Sequence, residues 1–268
     1  MWQIKRAYEI LKTQGLKVLM LSAWRYILRI MNRFNPMIRF NPEMRLKPVR
    51  IERDGAVFKV TARNGKKWFI PTKDENFGFW AFIFMKKVER YLDAIKDGDT
   101  VVEVGACTGE YTVPAAKKVG NFGRIFACEA DSLGCECIRK NAKLYKRNNI
   151  QVINQAVSDR IGRKMALDIR GNLSGGILVE GNTMQTTTID SLFSDMKIDV
   201  LKMTTNGHEP EIVAGAKKTL ESVRCVVFQS ARHKELIKIL EYKGFKVTRA
   251  IDDSWAENVR IVLLERKC

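Results

Sequence analysis

Two carboxylates and two glycines carry the first chemical signal in this chain. The stretch Val101 to Thr112, VVEVGACTGEYT, sets Glu103 inside an apolar run and follows it with Gly105 and Gly109. Val101, Val102 and Val104 are β-branched, as a buried parallel strand prefers. Glycine lets the backbone turn sharply and leaves space for a ligand to lie against it. A carboxylate in an apolar strand needs a partner, so Glu103 is expected either to be paired or to face a ligand. A second acid, Glu129, closes the next strand-like run, GRIFACE. An acid at a strand end, about 20 residues past a glycine turn, can accept hydrogen bonds from ribose hydroxyls. Glu129 could also cap the helix that begins Asp131-Ser132-Leu133, or leave that task to Asp131 or Ser132. The form GACTG lacks the three glycines of the dinucleotide fingerprint, and no Gly-Lys-Ser/Thr follows it as in a phosphate loop.

The elements that must position these residues alternate strand and helix, which implies a parallel sheet. A helix is expected from Glu110 to Val119, a second from Ser132 to Arg147, and a third strand at Ile150 to Asn154. Gln155 to Asp159, QAVSD, follows at a strand end, where an adenine could lie against Ala156 and Val157. Residues 160–188 read as a β-rich flap punctuated by glycines. The fourth strand is expected at Asp199 to Met203, a helix at Glu209 to Leu220 with Pro210 in its first turn, and a fifth strand at Val223 to Gln229. A helix from His233 to Lys243 leads to two terminal strands, Phe245 to Ala250 and Val259 to Glu265, joined by an acidic, tryptophan-bearing loop. Adjacent terminal strands suggest an antiparallel strand added to a parallel sheet.

Upstream, Val57 to Ile70 reads as a hairpin about an Asn64-Gly65 turn. Asp74 or Asn76 is placed to cap a helix running to about Ile95, whose Phe77, Phe79, Trp80, Phe82 and Phe84 are expected in the core. Residues 1–34 have the apolar spacing of a long helix, and 35–50 read as a basic extended connector. The organisation is therefore a basic helix and connector (1–50), a hairpin and helix (51–96) and an α/β domain (97–268).

Charge is unevenly spread. The 268 residues carry a net +17, yet residues 1–50 hold 11 Lys/Arg against two Asp/Glu. That balance predicts an anionic partner, a membrane surface or nucleic acid. Trp2, Trp24 and the row Arg25, Arg29, Arg33 suit a helix lying in a lipid interface; the same apolar face would also suit packing on the domain or on a second subunit as a homo-oligomer. The six cysteines form no C-x-x-C pair and there are two histidines, so no metal site is expected. Reduced thiols fit a cytoplasmic protein, peripheral at a membrane if the helix meets lipid. Neither a secretory signal nor a span of about 20 apolar residues is evident.

The order of blocks carries a family resemblance. VVEVGACTGEYT, GRIFACEAD, RKNAKLYKRNN, QAVSD, TTTIDSL and VLKMTTNGHEPEIVAGAKKTL together resemble the FkbM family of S-adenosylmethionine (SAM)-dependent methyltransferases, over about residues 95–230. The resemblance implies a class I methyltransferase fold: a Rossmann-like, seven-stranded, mostly parallel sheet with helices on both faces. It implies SAM as cofactor and, usually, methylation of a hydroxyl oxygen. Glu103, Gly105 and Gly109 fall on the family's cofactor loop with Ala106, Cys107 and Tyr111 between and beyond them. Glu129 falls on the ribose acid, followed by Ala130, and Ala156 and Val157 fall on the adenine wall.

The glycine loop departs in Cys107 and Thr108, where the family commonly has Asn and Ile or Val, and further departures lie at the methyl-donor end. Thr204 and Asn206 stand where the family usually has Asp and Glu, so a base, a metal ligand or a substrate anchor is missing there. An alcohol acceptor benefits from a general base. His208, at a strand-to-helix junction, is the local candidate, since an unperturbed histidine titrates near pH 6.5. Lys202 is expected either to orient a substrate or to pair with Asp199 or Glu209. The expected acceptor is a small molecule, lipid or glycan. RNA or protein methylation through the basic N-terminal region, and a non-catalytic SAM-binding role, are the alternatives. No Asn-Pro-Pro-Tyr type of motif follows strand four, where TTNG stands, which argues against base N-methylation.

Overall fold

A computed structural model describes residues 46–169, 176–252 and 259–266. The expected N-terminal helix, most of the basic connector and the acidic tryptophan loop lie outside these residues.

Three antiparallel strands come first: β1 (Pro48–Asp54), β2 (Val57–Ala62) and β3 (Lys67–Ile70). Gly65 adopts φ +82° and its N–H donates to Ala62 O, closing the Asn64-Gly65 turn between β2 and β3. The expected two-strand hairpin is thus a three-strand meander. In sequence, Pro48 to Arg50 fall in the connector and no strand is expected before Val57, because PVRIERD is charge-rich and, Pro48 apart, exposed or half-buried. Only pairing to β2 makes it a strand.

Asp74 caps α1 (Glu75–Val88), its Oδ1 accepting from Asn76 N at 2.8 Å. Phe77 and Phe82 are buried, and the helix continues as a 3₁₀ turn, Glu89–Ala94. The α/β core follows as β4 (Thr100–Val104), α2 (Thr112–Lys118), β5 (Arg124–Glu129), α3 (Ser132–Leu144) and β6 (Ile150–Asn154). The flap holds β7 (Ala156–Val157), β8 (Lys164–Asp168), β9 (Ile177–Glu180) and β10 (Met184–Thr187) as a separate sheet ordered β7-β10-β8-β9. Then come α4 (Ile189–Leu192), β11 (Val200–Met203), α5 (Glu209–Ala214), α6 (Thr219–Ser222), β12 (Cys225–Ser230), α7 (His233–Tyr242), β13 (Phe245–Asp252) and β14 (Arg260–Arg266).

The main sheet runs β6-β5-β4-β11-β12-β14-β13, with β14 antiparallel to both its neighbours and the other pairings parallel. Its strands alternate between two cores, as a period of two requires. Val102, Leu201, Met203, Val226 and Phe228 fill one face, while Val101, Ile125, Val200, Cys225 and Val227 fill the other. Chain order reverses beside β4, whose neighbours are β5 and β11. In an open α/β sheet, ligands bind at such a switch point, outside the carboxyl ends of the strands.

One expected helix is split. Glu209 to Leu220 reads as continuous but breaks at Gly215, where a Cβ would lie 2.2 Å from Ser158 O. Asp190 restarts it by accepting from Lys218 N and Thr219 N. That cap comes from a residue 28 positions earlier, so no local pattern announces it.

Candidate active site

The switch point opens into a cleft of about 920 Å³, its mouth included. The cleft is lined by Glu103, Gly105, Ala106, Cys107, Tyr111, Glu129, Ala130, Ala156 and Val157, all expected at the cofactor, and by Lys202. Gly109 stands behind the loop instead. Its φ is +94° and a Cβ there would touch Ile138 of α3. Gly105 shows why the loop needs glycine. Its φ is +77°, and a Cβ would fall 2.1 Å from Thr204 O, so any side chain would push the β4 and β11 loops apart. Gly105 N and Ala106 N both donate to Cys128 O, which ties the turn to β5.

Glu129 is buried at the end of β5. Its Oε2 accepts from Cys107 N at 2.7 Å and its Oε1 from Asp131 N at 2.9 Å. Burial pushes its carboxyl up to about 7. Asp131 takes the helix-capping task, its Oδ2 accepting from Gly134 N. Of the sequence alternatives, capping by Asp131 leaves Glu129 on the cleft wall with lone pairs to spare.

Glu103 and Lys202 face each other across β4 and β11 as register partners. Lys202 Nζ lies 2.7 Å from Glu103 Oε1, and Thr112 Oγ1 donates to Oε2 at 2.5 Å. The ammonium also sits 5.1 Å above the Tyr111 ring. The partner of Lys202 is therefore Glu103, not Asp199 or Glu209. Asp199 instead accepts from Thr100 N and pairs with Lys197, while Glu209 is buried beneath the β11 loop. There Glu209 accepts from Thr205 N, Gly207 N and Ser230 Oγ, at 2.7, 3.1 and 2.7 Å.

His208 is not among the residues lining the cleft. Its Nε2 lies 2.9 Å from Ser158 Oγ and its Nδ1 3.9 Å from the Glu211 carboxylate. Burial holds its pKa below the ordinary value, so the ring is neutral at pH 7. This geometry engages the histidine with β7's loop rather than with an acceptor. Thr204 Oγ1 donates to its neighbour Met203 O, and Asn206, at φ +56°, donates Nδ2 to Gly176 O of the flap.

Two groups of lining residues escape the sequence reading. Glu110 is buried against the cleft, its carboxyl pushed up to about 7 by burial, and it accepts from both the N–H and the hydroxyl of Thr108. Trp68 Nε1 of β3 donates to that same hydroxyl at 2.9 Å. As a lone acid at a helix start, Glu110 carries no distinguishing signal. Trp80 and Phe84 also line the cleft, although helical setting placed them with the core aromatics. Among the described residues, no group of three or more His, Cys, Asp or Glu could hold a metal ion.

These residues fit SAM. Glu129 is an acceptor-only group when ionised, suited to ribose hydroxyls; Ala156 and Val157 offer an apolar wall to adenine; and the Gly105–Cys107 backbone leaves room for the amino-acid end.

The sequence model of the methyltransferase FkbM domain matches residues 103–247. A probable cobalt-precorrin-6B C(15)-methyltransferase (decarboxylating) of Sulfurisphaera tokodaii is 26% identical over 153 residues, 57% of this chain and 72% of that protein. The ribosomal RNA large subunit methyltransferase E of Nitratidesulfovibrio vulgaris is 31% identical over 62 residues, only 23% of this chain and 30% of that one. Among solved structures, a SAM-dependent methyltransferase from Aquifex aeolicus superposes with TM-score 0.43 at 16% identity, over 68% of this chain and 89% of its own. M. capricolum TrmK in complex with S-adenosylhomocysteine (SAH) gives 0.46 at 10%, over 68% of each chain. With the family's domain covering more than half of its length, the chain belongs to the FkbM methyltransferases and is a SAM-dependent enzyme.

Proposed function

We propose that the chain methylates a hydroxyl oxygen of a small molecule bound in the cleft. The observation that carries this reading is the extent of the cleft beyond the cofactor motif. One part is lined by the residues that match that motif, and Trp80, Phe84, Lys202 and Gln229 are among the lining residues that lie outside it. When bound, SAM supplies an electrophilic methyl group on a sulfonium. The chain's own residues do the rest. Glu129 and the Gly105–Cys107 backbone fix the donor. Lys202, held by Glu103, meets the acceptor. The aromatic side chains of α1 exclude water from the reacting atoms. Alignment of two bound reactants removes much of the barrier to an in-line displacement.

The test is transfer of label from methyl-labelled SAM by the purified full chain. Hydroxyl acceptors are expected to become methyl ethers, which release iodomethane on treatment with hydriodic acid. Label recovered as an N-methyl or C-methyl group, or only in RNA, contradicts the reading. His208→Ala is expected to retain turnover within about threefold, because a residue outside the reacting geometry contributes little of the ~10²-fold typical of a general base.

A further inference from the structure

Resting on the reading above, we propose that the acceptor is a phenol, its flat ring held along Trp80 and Phe84 and its hydroxyl oxygen turned to Lys202. The shape of the cleft is the first argument. Trp80 and Phe84 stand one helical turn apart on α1 and stack with centroids 5.0 Å apart and planes at 17°. Both are only half-buried, unlike Phe77 and Phe82 on the same helix. Beside Phe84 lies a narrow apolar recess, with room for about one water molecule, bounded by Val88, Val227 and Ile261, with Lys202 at its edge. A sugar ring beside Trp80 and Phe84 would surrender hydrated hydroxyls to apolar walls. An aromatic ring gains by stacking.

Ionisation is the second argument. No carboxylate stands free on the β11 loop: positions 204 and 206 are Thr and Asn, and Glu209 is spent on the backbone and Ser230, while the lining acid Glu110 is engaged by the N–H and hydroxyl of Thr108. His208 is turned to Ser158. Lys202 is the one cation among the described lining residues. Glu103 takes one donor of its ammonium, which has three. An aliphatic alcohol is about as weak an acid as water, and needs a base that these engaged acids do not supply. A phenol ionises near 10, and a neighbouring cation favours its anion. The step then balances without a side-chain base. The phenol's proton leaves to water as the ring binds. The phenolate oxygen's lone pair forms the new O–C bond, the C–S bond breaks with its pair passing to sulfur, and the products are an aryl methyl ether and SAH.

The full chain loaded with SAH is titrated with 2-naphthol and with decahydro-2-naphthol, its saturated counterpart; both are then offered with methyl-labelled SAM. The naphthol is expected to bind about two- to tenfold better, the discrimination an aromatic wall provides, and to be the better methyl acceptor. Trp80→Leu should weaken naphthol binding, and Trp80→Phe should restore most of it. SAH affinity in both variants shows that they are folded. In the double variant Glu103→Gln/Lys202→Met, which leaves no buried charge unpaired, the midpoint of the pH–rate profile should move up by roughly one unit or more. Decahydro-2-naphthol or methyl glucoside methylated as fast as naphthol overturns the proposal while leaving the methyltransferase reading intact. So does an SAH-loaded chain that binds no naphthol. A folded chain that binds neither SAM nor SAH overturns both.

Discussion

We propose that Glu129, as the ribose acid, makes cofactor binding depend on pH. Burial raises its carboxyl to about 7, so near neutrality it is only partly ionised. Ribose hydroxyls donate more strongly to the ionised form than to the acid. SAH affinity should therefore rise as pH rises through about 7, by no more than about tenfold per unit on the acid side. Calorimetry from pH 6 to 8 should show this in the wild type and not in Glu129→Gln. The stability consequence has the opposite slope. The folded carboxyl holds its proton between 4.5 and about 7 while the unfolded one has lost it, so Glu129 contributes less stability as pH rises through that window. Lys202 and Glu103 set a second residue-scale expectation. Lys202→Met strands a buried carboxylate and should cost about 3–5 kcal/mol, whereas adding Glu103→Gln should recover much of that loss in urea denaturation. The acid of the glycine turn and that of the following strand end are legible in sequence from type and spacing. The Glu103–Lys202 partnership is not, since 99 residues separate the two and only the β4–β11 register brings them together.

At the scale of elements, the glycine loop is tied to β3, which lies outside the α/β core. Asn141 of α3 accepts from Phe69 N and donates to Phe69 O and Thr108 O, joining β3 to the loop. Trp68 adds its bond to Thr108. Asn141→Ala would leave three buried backbone groups without partners and should destabilise by about 2–4 kcal/mol. It should also weaken SAH binding, which urea denaturation and calorimetry would measure separately. Trp68→Phe, which removes one donor, should cost about 1 kcal/mol. The asparagine-bearing helix is plain in sequence, but its bonds to β3 are not. The same holds for α5 and α6. Helical periodicity runs through Gly215, and only the approach of Ser158 O and the cap from Asp190 end the first helix and start the second.

For the molecule as a whole, the alternating strand and helix pattern foretold the parallel sheet, and the two terminal strands foretold its antiparallel member. The family resemblance implied seven strands; their order and the switch point beside β4 were not legible, because hydrophobic patterning alone does not order strands. The flap was legible as β-rich; its service as a cleft wall through Leu167 and Leu178 was not. Among the described residues, no helix is long and apolar enough to cross a membrane. The charge of residues 1–50 leads to a proposal for the full chain. It should co-sediment with vesicles containing anionic lipid at low salt and be released in about 1 M salt, where charges are screened beyond about 3 Å. Retention at high salt, or preference for uncharged vesicles, would contradict an electrostatic contact.

The central claim, that the switch-point cleft holds SAM on Glu129, is tested most directly by calorimetric titration of the full chain with SAM and SAH. The expected result is saturable binding of both at one site per chain. Glu129→Ala should weaken it at least roughly thirtyfold, the loss of about 2 kcal/mol that removing charge-assisted hydrogen bonds brings. Absence of binding in folded wild-type chain, or binding that Glu129→Ala leaves unchanged, would contradict it.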